Sequence, residues 1–407
     1  MPDIFDAGGR RPHLNNTMEL TKQEISREFQ AILHYWKLRM TDPAGGFYGR
    51  IDANEQVDPE ADKGVVLNAR ILWTFAAAYN HGVREEDLNM ALRAADYIHA
   101  CFNDTRYGGV FWSVTAGGKP ADTKKQVYAQ AFTIYGLAEC YRAAGRAQDL
   151  ELAIALFRLL EKHSFDPLNS GYLEAFLRDW GELADLRLSE KDANEKKTMN
   201  THLHVLEAYT VLYQVWPDPE LKQQLLGLLT VFLTRIYDPQ TRHLRLFMDE
   251  NWVSKLAVVS YGHDIEASWL LLEAAAAVND EEITRTVRAL ALDLAGGALE
   301  GLAGDGAMIY EYDPASGHSN TERHWWVQAE AMVGFLTAAR LTNDATFSLA
   351  VQRLWDYIQL RIIDPVNGEW FWGRKADGSL MEGEDKAGFW KCPYHNGRAC
   401  IELLKRL

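Results

Sequence analysis

A turn that returns six times constrains this chain more than any other feature. Each copy is a short aspartate- or glycine-led segment with aromatic residues, followed by helical sequence. The copies read Asp42-Pro-Ala-Gly-Gly-Phe-Tyr, Asp104-Thr-Arg-Tyr-Gly-Gly-Val-Phe-Trp, Asp166-Pro-Leu-Asn-Ser-Gly-Tyr, Asp238-Pro-Gln-Thr-Arg-His-Leu, Gly304-Asp-Gly-Ala-Met-Ile-Tyr and Asp364-Pro-Val-Asn-Gly-Glu-Trp-Phe-Trp. They start 62, 62, 72, 66 and 60 residues apart. Self-similarity at a nearly fixed period marks a repeat architecture, in which each unit buries its apolar face on its neighbours. A repeat also sets equivalent positions around one axis.

Between turns the sequence reads as two helices per unit. One kind is amphipathic: Glu19 to Met40, Glu85 to Phe102, Gln148 to His163, Pro219 to Ile236, Glu281 to Leu299 and Asp344 to Ile362. In Leu150, Ala153, Ile154, Phe157 and Leu160 the apolar residues recur at helical spacing with polar ones between, which predicts an outer layer. The other kind is apolar nearly all round and therefore belongs inside. Its members begin near Leu67, Tyr128, Met199, Gly262, Arg323 and Tyr394. Six such pairs predict an all-α protein, an (α/α)6 barrel of helical-hairpin repeats with short β-hairpins or loops at the active-site end.

A length of 407 residues alone would suggest two or three domains. The repeat runs on without a Pro/Gly/Ser-rich linker, so one catalytic domain is expected over residues 19–407. Residues 1–18 are expected to be a flexible extension. A barrel that buries its own core is expected to be a monomer.

The net charge of −15 argues against a nucleic-acid partner, because phosphate binding wants a basic face. No segment is long and apolar enough to span a bilayer. The first twenty residues hold no apolar signal core, and four cysteines (Cys101, Cys140, Cys392, Cys400) show no metal-like spacing. A cytoplasmic location is expected.

The inner helices all start on the turn side, so six positive helix ends surround one cavity mouth, where a developing oxyanion would be stabilised. There the otherwise apolar helices turn polar and aromatic, with Arg70, Tyr128, His204, His263, Trp326 and His395. A lone histidine is usually a hydrogen-bonded structural residue. Five at inner-helix starts (His202, His204, His263, His324, His395) favour a site. His202 and His204 cannot share a helix face, whereas Asn200 and His204 can. His204 is expected to point inward and His202 to be structural.

His263 and Glu266 are three apart and share a face, so the carboxylate is expected to orient the imidazole as a general base. No metal-binding motif is present, and a metal-free, cofactor-free site is expected. Glycosidase chemistry needs two carboxylates; Glu266, Glu330 and Asp192 are available, but the pattern is led by histidines. Trp112, Trp325, Trp326, Trp370, Trp372 and Trp390 cluster at turns or helix starts. Packing accounts for several of them, as it does for Trp73 and Trp269 deeper in their helices. Flat aromatic faces beside polar groups also suit a sugar ring, which makes carbohydrate the expected substrate class. Asp179 to Thr198 is polar, accounts for the longest interval and reads as a solvated loop or a lid.

The motifs Leu67-Asn-Ala-Arg-Ile-Leu-Trp, Met199-Asn-Thr-His-Leu-His, Gly262-His-Asp-Ile-Glu-Ala-Ser-Trp, His324-Trp-Trp-Val-Gln-Ala-Glu and Phe389-Trp-Lys-Cys-Pro-Tyr-His-Asn-Gly-Arg carry a resemblance over almost the whole chain. It resembles the N-acylglucosamine 2-epimerase superfamily, and within it the cellobiose 2-epimerases. The resemblance implies an (α/α)6 barrel that inverts C2 of the reducing-end sugar of β-1,4-disaccharides. Cellobiose would give glucosyl-mannose and lactose epilactose, through a cis-enediolate. It implies an acid/base pair in His263 and His395, charge stabilisation by Arg70, and a third histidine, His204, for ring opening or hydroxyl binding. Glu266 would orient His263. Trp326 and Trp390 would hold the sugars, with Tyr128, Asn200, Asp192 and Glu330 in binding or supporting positions. A minor aldose–ketose isomerisation accompanies this reading. Its rivals are a monosaccharide 2-epimerase or mannose isomerase on the same scaffold, a glycosidase and a non-catalytic sugar binder.

Overall fold

The computed structural model describes residues 20–407, so the expected extension over residues 1–18 lies outside the described residues. Twelve α-helices dominate the described chain. Six amphipathic ones are α1 (Lys22–Arg39), α3 (Glu85–Tyr97), α5 (Ala147–His163), α7 (Pro219–Val231), α9 (Glu281–Ala298) and α11 (Ala345–Tyr357). Six apolar ones alternate with them: α2 (Val65–Gly82), α4 (Val127–Ala144), α6 (Met199–Val215), α8 (Tyr261–Val278), α10 (Trp325–Thr342) and α12 (Tyr394–Arg406).

Local chemistry fixes the helix ends. Thr21 Oγ accepts the Glu24 amide at 3.2 Å while the Glu24 carboxylate accepts the Thr21 amide at 3.3 Å, a reciprocal cap that starts α1. Asp218, Asp280 and Asp344 cap α7, α9 and α11 one way only, their side-chain oxygens accepting first-turn amides. Three outer helices, α3, α7 and α11, end in one wide π turn, at Ile98–Phe102, Phe232–Ile236 and Ile358–Ile362. The fifth apolar helix starts two residues later than its sequence suggests, because Arg323–His324 pairs as a strand with Gly373–Arg374.

The apolar helices pack in the order α2, α4, α6, α8, α10, α12 and back to α2. Glycines permit close approaches between them. A Cβ on Gly136 of α4 would lie 2.7 Å from the Ala69 carbonyl of α2. One on Gly334 of α10 would lie 2.5 Å from the Ile265 side chain of α8. The aliphatic and aromatic side chains sealed between these helices each contribute about 1.5–3 kcal/mol by burial.

The turns hold together by a device repeated around the ring. Buried lysines reach back to the leading aspartates: Lys63 to Asp42 at 2.5 Å, Lys125 to Asp104 at 3.0 Å, Lys197 to Asp166 at 2.8 Å and Lys386 to Asp364 at 2.5 Å. Two-residue strands ahead of the apolar helices pair with the next unit, as Lys63–Gly64 does with Ser113–Val114 and Lys125–Gln126 with Ala175–Phe176. The fourth residue of four apolar helices satisfies a backbone amide of the preceding turn. Gln130 accepts from Val110 at 2.8 Å, His202 from Tyr172 at 2.8 Å, Asp264 from Leu244 at 2.9 Å and Gln328 from Met308 at 2.8 Å. His202 is thus a buried structural acceptor, its Nδ1 donating to the Thr198 carbonyl at 2.6 Å.

The ring closes between its two ends. Ile51 bridges to Ala387, and Glu369 accepts from Trp36 of α1, from Lys391 and from Asn396 of α12, each at 2.7 Å. No helix among the described residues is long and apolar enough to cross a membrane.

Candidate active site

All six apolar helices deliver side chains from their N-terminal turns to one cavity of about 460 Å³, among them Arg70, Tyr128, His204, His263, Trp326 and His395. The size suits a small organic ligand. Asn200, Glu266, Trp325, Trp372, Trp390 and Asp192 also face it.

Three imidazoles are each fixed through Nδ1. His395 Nδ1 lies 2.6 Å from Glu330 Oε1, and His204 Nδ1 lies 2.9 Å from Glu207 Oε2. A carboxylate only accepts, so both imidazoles direct an Nδ1–H at their carboxylates. His263 Nδ1 lies 2.8 Å from the Ser260 hydroxyl. Burial, with His204 adding to it, pushes His263 down to about 3. His395 is held well below the ordinary imidazole value by burial, then by Arg70 and Arg398, which outweigh the adjacent Glu330. Both therefore rest neutral at neutral pH and can accept a proton.

The expected pairing of Glu266 with His263 is corrected by this geometry. Side chains on a helix lean toward its N-terminus, so His263, third in α8, reaches back to Ser260. Glu266 instead meets Arg398 Nη2 at 2.6 Å. Burial and then Glu330 push Glu266 up to about 7. Glu330 stands behind His395 rather than in the cavity wall, accepting also from Trp269 at 3.2 Å and from Arg398 at 2.7 Å. Of the binding or supporting positions expected for it, Glu330 takes the supporting one. The Glu266, Glu330 and His395 ligand atoms lie within 4.8 Å of one another, a spacing that could hold a cation. Arg398 Nη2 already supplies the positive charge to both carboxylates there.

Arg70 is bounded by aromatic faces and has no carboxylate within ion-pair range among the described residues. Its guanidinium carbon lies 4.2 Å from the Phe132 ring centre and 4.9 Å from that of Tyr394, and Nη2 donates to Tyr128 Oη at 2.6 Å. That leaves a fixed cation at the cavity with no protein anion to neutralise it. Trp326 lies against both His263 and His395, with ring centres 4.8 and 5.7 Å away, and α10 carries it between their helices. Trp390 packs beside Trp112 and Tyr128. Asn200 Oδ1, Trp325 Nε1 and Trp372 Nε1 are buried without a protein partner among the described residues.

Residues 186–193 of the polar loop form part of the cavity wall. Gln126 donates to the Leu186 and Arg187 carbonyls at 3.2 and 2.9 Å, and Asn194 accepts from the Leu186 amide at 2.8 Å. Asp192 accepts from the Ser189 amide and hydroxyl at 2.9 and 3.1 Å, and burial raises its carboxyl above the ordinary value.

Glu207, Ser260, Tyr394 and Arg398 were not foreseen. Glu207 was within reach of sequence reasoning, three residues beyond His204 on one face. Arg398 was not: its partners come from α6, α8 and α10.

The profile of the N-acylglucosamine 2-epimerase (GlcNAc 2-epimerase) family matches residues 46–399. A cellobiose 2-epimerase of Bacteroides fragilis is 53% identical over 388 residues, 95% of this chain and 99% of the relative. The solved cellobiose 2-epimerase from Bacillus thermoamylovorans superposes with a TM-score of 0.90 at 40% identity, covering 95% of this chain and 99% of the other. A sugar epimerase from a ruminal bacterium superposes at 0.92 with 37% identity and the same coverage. Matched over nearly its whole length by family profile, by sequence and by structure, the chain belongs to the N-acylglucosamine 2-epimerase family and so to the carbohydrate epimerases of the isomerase class.

Proposed function

We propose that this protein, an (α/α)6 barrel, inverts C2 of the reducing-end glucose in β-1,4-disaccharides, turning cellobiose into glucosyl-mannose and lactose into epilactose, without a metal ion. The observation that carries the reading is a pair of neutral-resting imidazoles, His263 and His395, flanking one tryptophan beside an unneutralised arginine. The ring order of the apolar helices supports the barrel. The family relatives named cellobiose 2-epimerase support the disaccharide.

After ring opening, the C2 proton is α to an aldehyde. An imidazole in its neutral form takes that proton from one face and becomes charged. The electron pair moves into a cis-enediolate, whose O1 and O2 charge Arg70 stabilises. A charged imidazole on the other face returns a proton to C2 and inverts it, so one of the two neutral-resting imidazoles takes up a proton from solvent before turnover. His395, with a carboxylate at Nδ1, is assigned to hold that proton; His263, with only a hydroxyl there, stays neutral and is assigned to abstract from C2. His204 is assigned to ring opening or hydroxyl binding. Trp326 and Trp390 are assigned to the sugar faces, and Tyr128, Asn200 and Asp192 to hydroxyls. Return of the proton to C1 would give a ketose as a minor product.

The test is proton NMR of the protein with cellobiose in D2O containing EDTA. The reading expects glucosyl-mannose deuterated at C2. Free glucose would replace it with hydrolysis, and turnover of mannose but not cellobiose would move the substrate to a monosaccharide.

A further inference from the structure

The side chain of Arg398 is 1% exposed and lies between the catalytic cavity and a second one at the C-terminal ends of the apolar helices. Its single guanidinium meets carboxylates from three helices. Nη1 contacts Glu207 of α6, while Nη2 lies 2.6 Å from Glu266 of α8 and 2.7 Å from Glu330 of α10. Nη1 also donates to Tyr394 Oη, and that hydroxyl donates to Glu207 at 2.6 Å. Glu330 and Glu207 are the carboxylates that hold His395 and His204. A planar fork can span such an arrangement, and the point charge of a lysine cannot.

We propose that Arg398 is a positioning residue of the epimerase reaction: it pins the carboxylates behind His395 and His204, and its charge governs when the His395–Glu330 pair holds a proton. The inference rests on the sugar-epimerase reading. His395 is faced by Arg70 of α2 with Tyr128 of α4 bonded to it, and by His204 of α6. His263 and Glu266 of α8, Glu330 of α10 and Arg398 of its own helix complete its surroundings. The carboxylates favour an imidazolium; burial and the two arginines oppose it. Arg398 likewise favours the ionised form of Glu330, against its burial. Removing this cation therefore increases the proton affinity of both members. Whichever imidazole starts a turnover, the pH–rate profile moves to higher pH.

The experiment compares the unaltered protein with Arg398→Met and Arg398→Lys. For Arg398→Met, kcat at the optimum falls at least about tenfold with KM within about twofold, and the profile moves up by about one pH unit or more. Arg398→Lys keeps the charge but not the fork, so kcat falls and the profile stays within about half a pH unit. NMR of the histidine nitrogens gives a second readout that needs no substrate. His395 gains its proton at higher pH in Arg398→Met than in the unaltered protein. An unmoved profile and an unmoved His395 titration in folded Arg398→Met overturn the proposal. Should that variant not fold, unchanged kcat in Arg398→Lys overturns it and loss of kcat with KM retained supports it. If the unaltered protein leaves cellobiose untouched, the disaccharide reading fails, and the histidine titration still decides the role of Arg398.

Discussion

The two ends of the apolar helices both enclose a cavity, and only one is equipped to react. At the N-terminal ends the cavity measures about 460 Å³; at the C-terminal ends a cavity of about 620 Å³ is lined by Trp73, Trp269, Glu139, Glu273 and Glu402. The larger cavity also has aromatic faces and acids. Its charges, however, are spent on one another: Glu139 pairs with Arg142 at 2.8 Å, Glu402 with Lys405 at 2.8 Å, and Glu273 with Arg406 at 3.4 Å. At the other end, Arg70 has no carboxylate partner among the described residues, and the imidazoles are held through Nδ1 with Nε2 turned away from those partners. Helix N-termini add positive potential there, whereas C-termini present carbonyls to the larger cavity. Reactivity follows charge left uncompensated, not volume or aromatic lining.

The sharpest way to break this comparison is to remove a proton carrier. His395→Asn and His263→Asn are each expected to lower kcat by about 10³-fold or more, with C2 deuterium exchange lost in parallel. Retained exchange in either would remove that histidine from the proton path. Next comes the lone cation. Arg70→Met is expected to cost about 10²–10³ in kcat with a normal far-UV spectrum, as for loss of an oxyanion donor. Arg142→Met at the opposite end should leave kcat within about twofold, since surface-edge ion pairs contribute little. A comparable loss from both would mean that the two ends are catalytically joined. A smaller effect is expected from Ser260→Ala, about tenfold in kcat, because His263 keeps its chemistry and loses only its orienting partner.

The smallest effect concerns Glu273, which burial and then Glu402 push up to about 7. An acid whose folded value lies above its unfolded value adds stability below the unfolded value, near pH 4.5, and loses it as pH rises through about 7. Glu273→Gln should therefore flatten the decline in Tm between those limits and melt above the parent at pH 8. A parallel decline in both proteins would show that Glu273 is charged throughout.

Much of the fold was legible because repeats write themselves into spacing. The aspartate turns and the alternation of amphipathic with apolar helices needed only periodicity, and α3, α7 and α9 begin at the expected residues. The lysines answering the aspartates were missed because they lie far along the chain, 21 residues on in the first two units, three of them in short strands ahead of the next apolar helix. Sequence reasoning about His263 looked forward along its helix to Glu266 and missed the strand residue Ser260 behind it. Helical spacing names the residues that can meet; competition for a partner decides which do. Glu266 went to Arg398, a residue more than one hundred positions away that no local rule connects to it.

The ring closure gives the reaction a clock. α12 packs against α1, so the first helix of the ring is the outer partner of the last. α12 carries both His395 and Arg398, and it leaves the ribosome after every other element of the ring. A nascent chain holding ten or eleven of these helices has Arg70, His204 and His263 but lacks His395, the second of the proposed proton carriers, and the cation that links three carboxylates. Under the proposed roles, activity is withheld until synthesis passes α12, and its appearance in real time during translation would report when the ring closes.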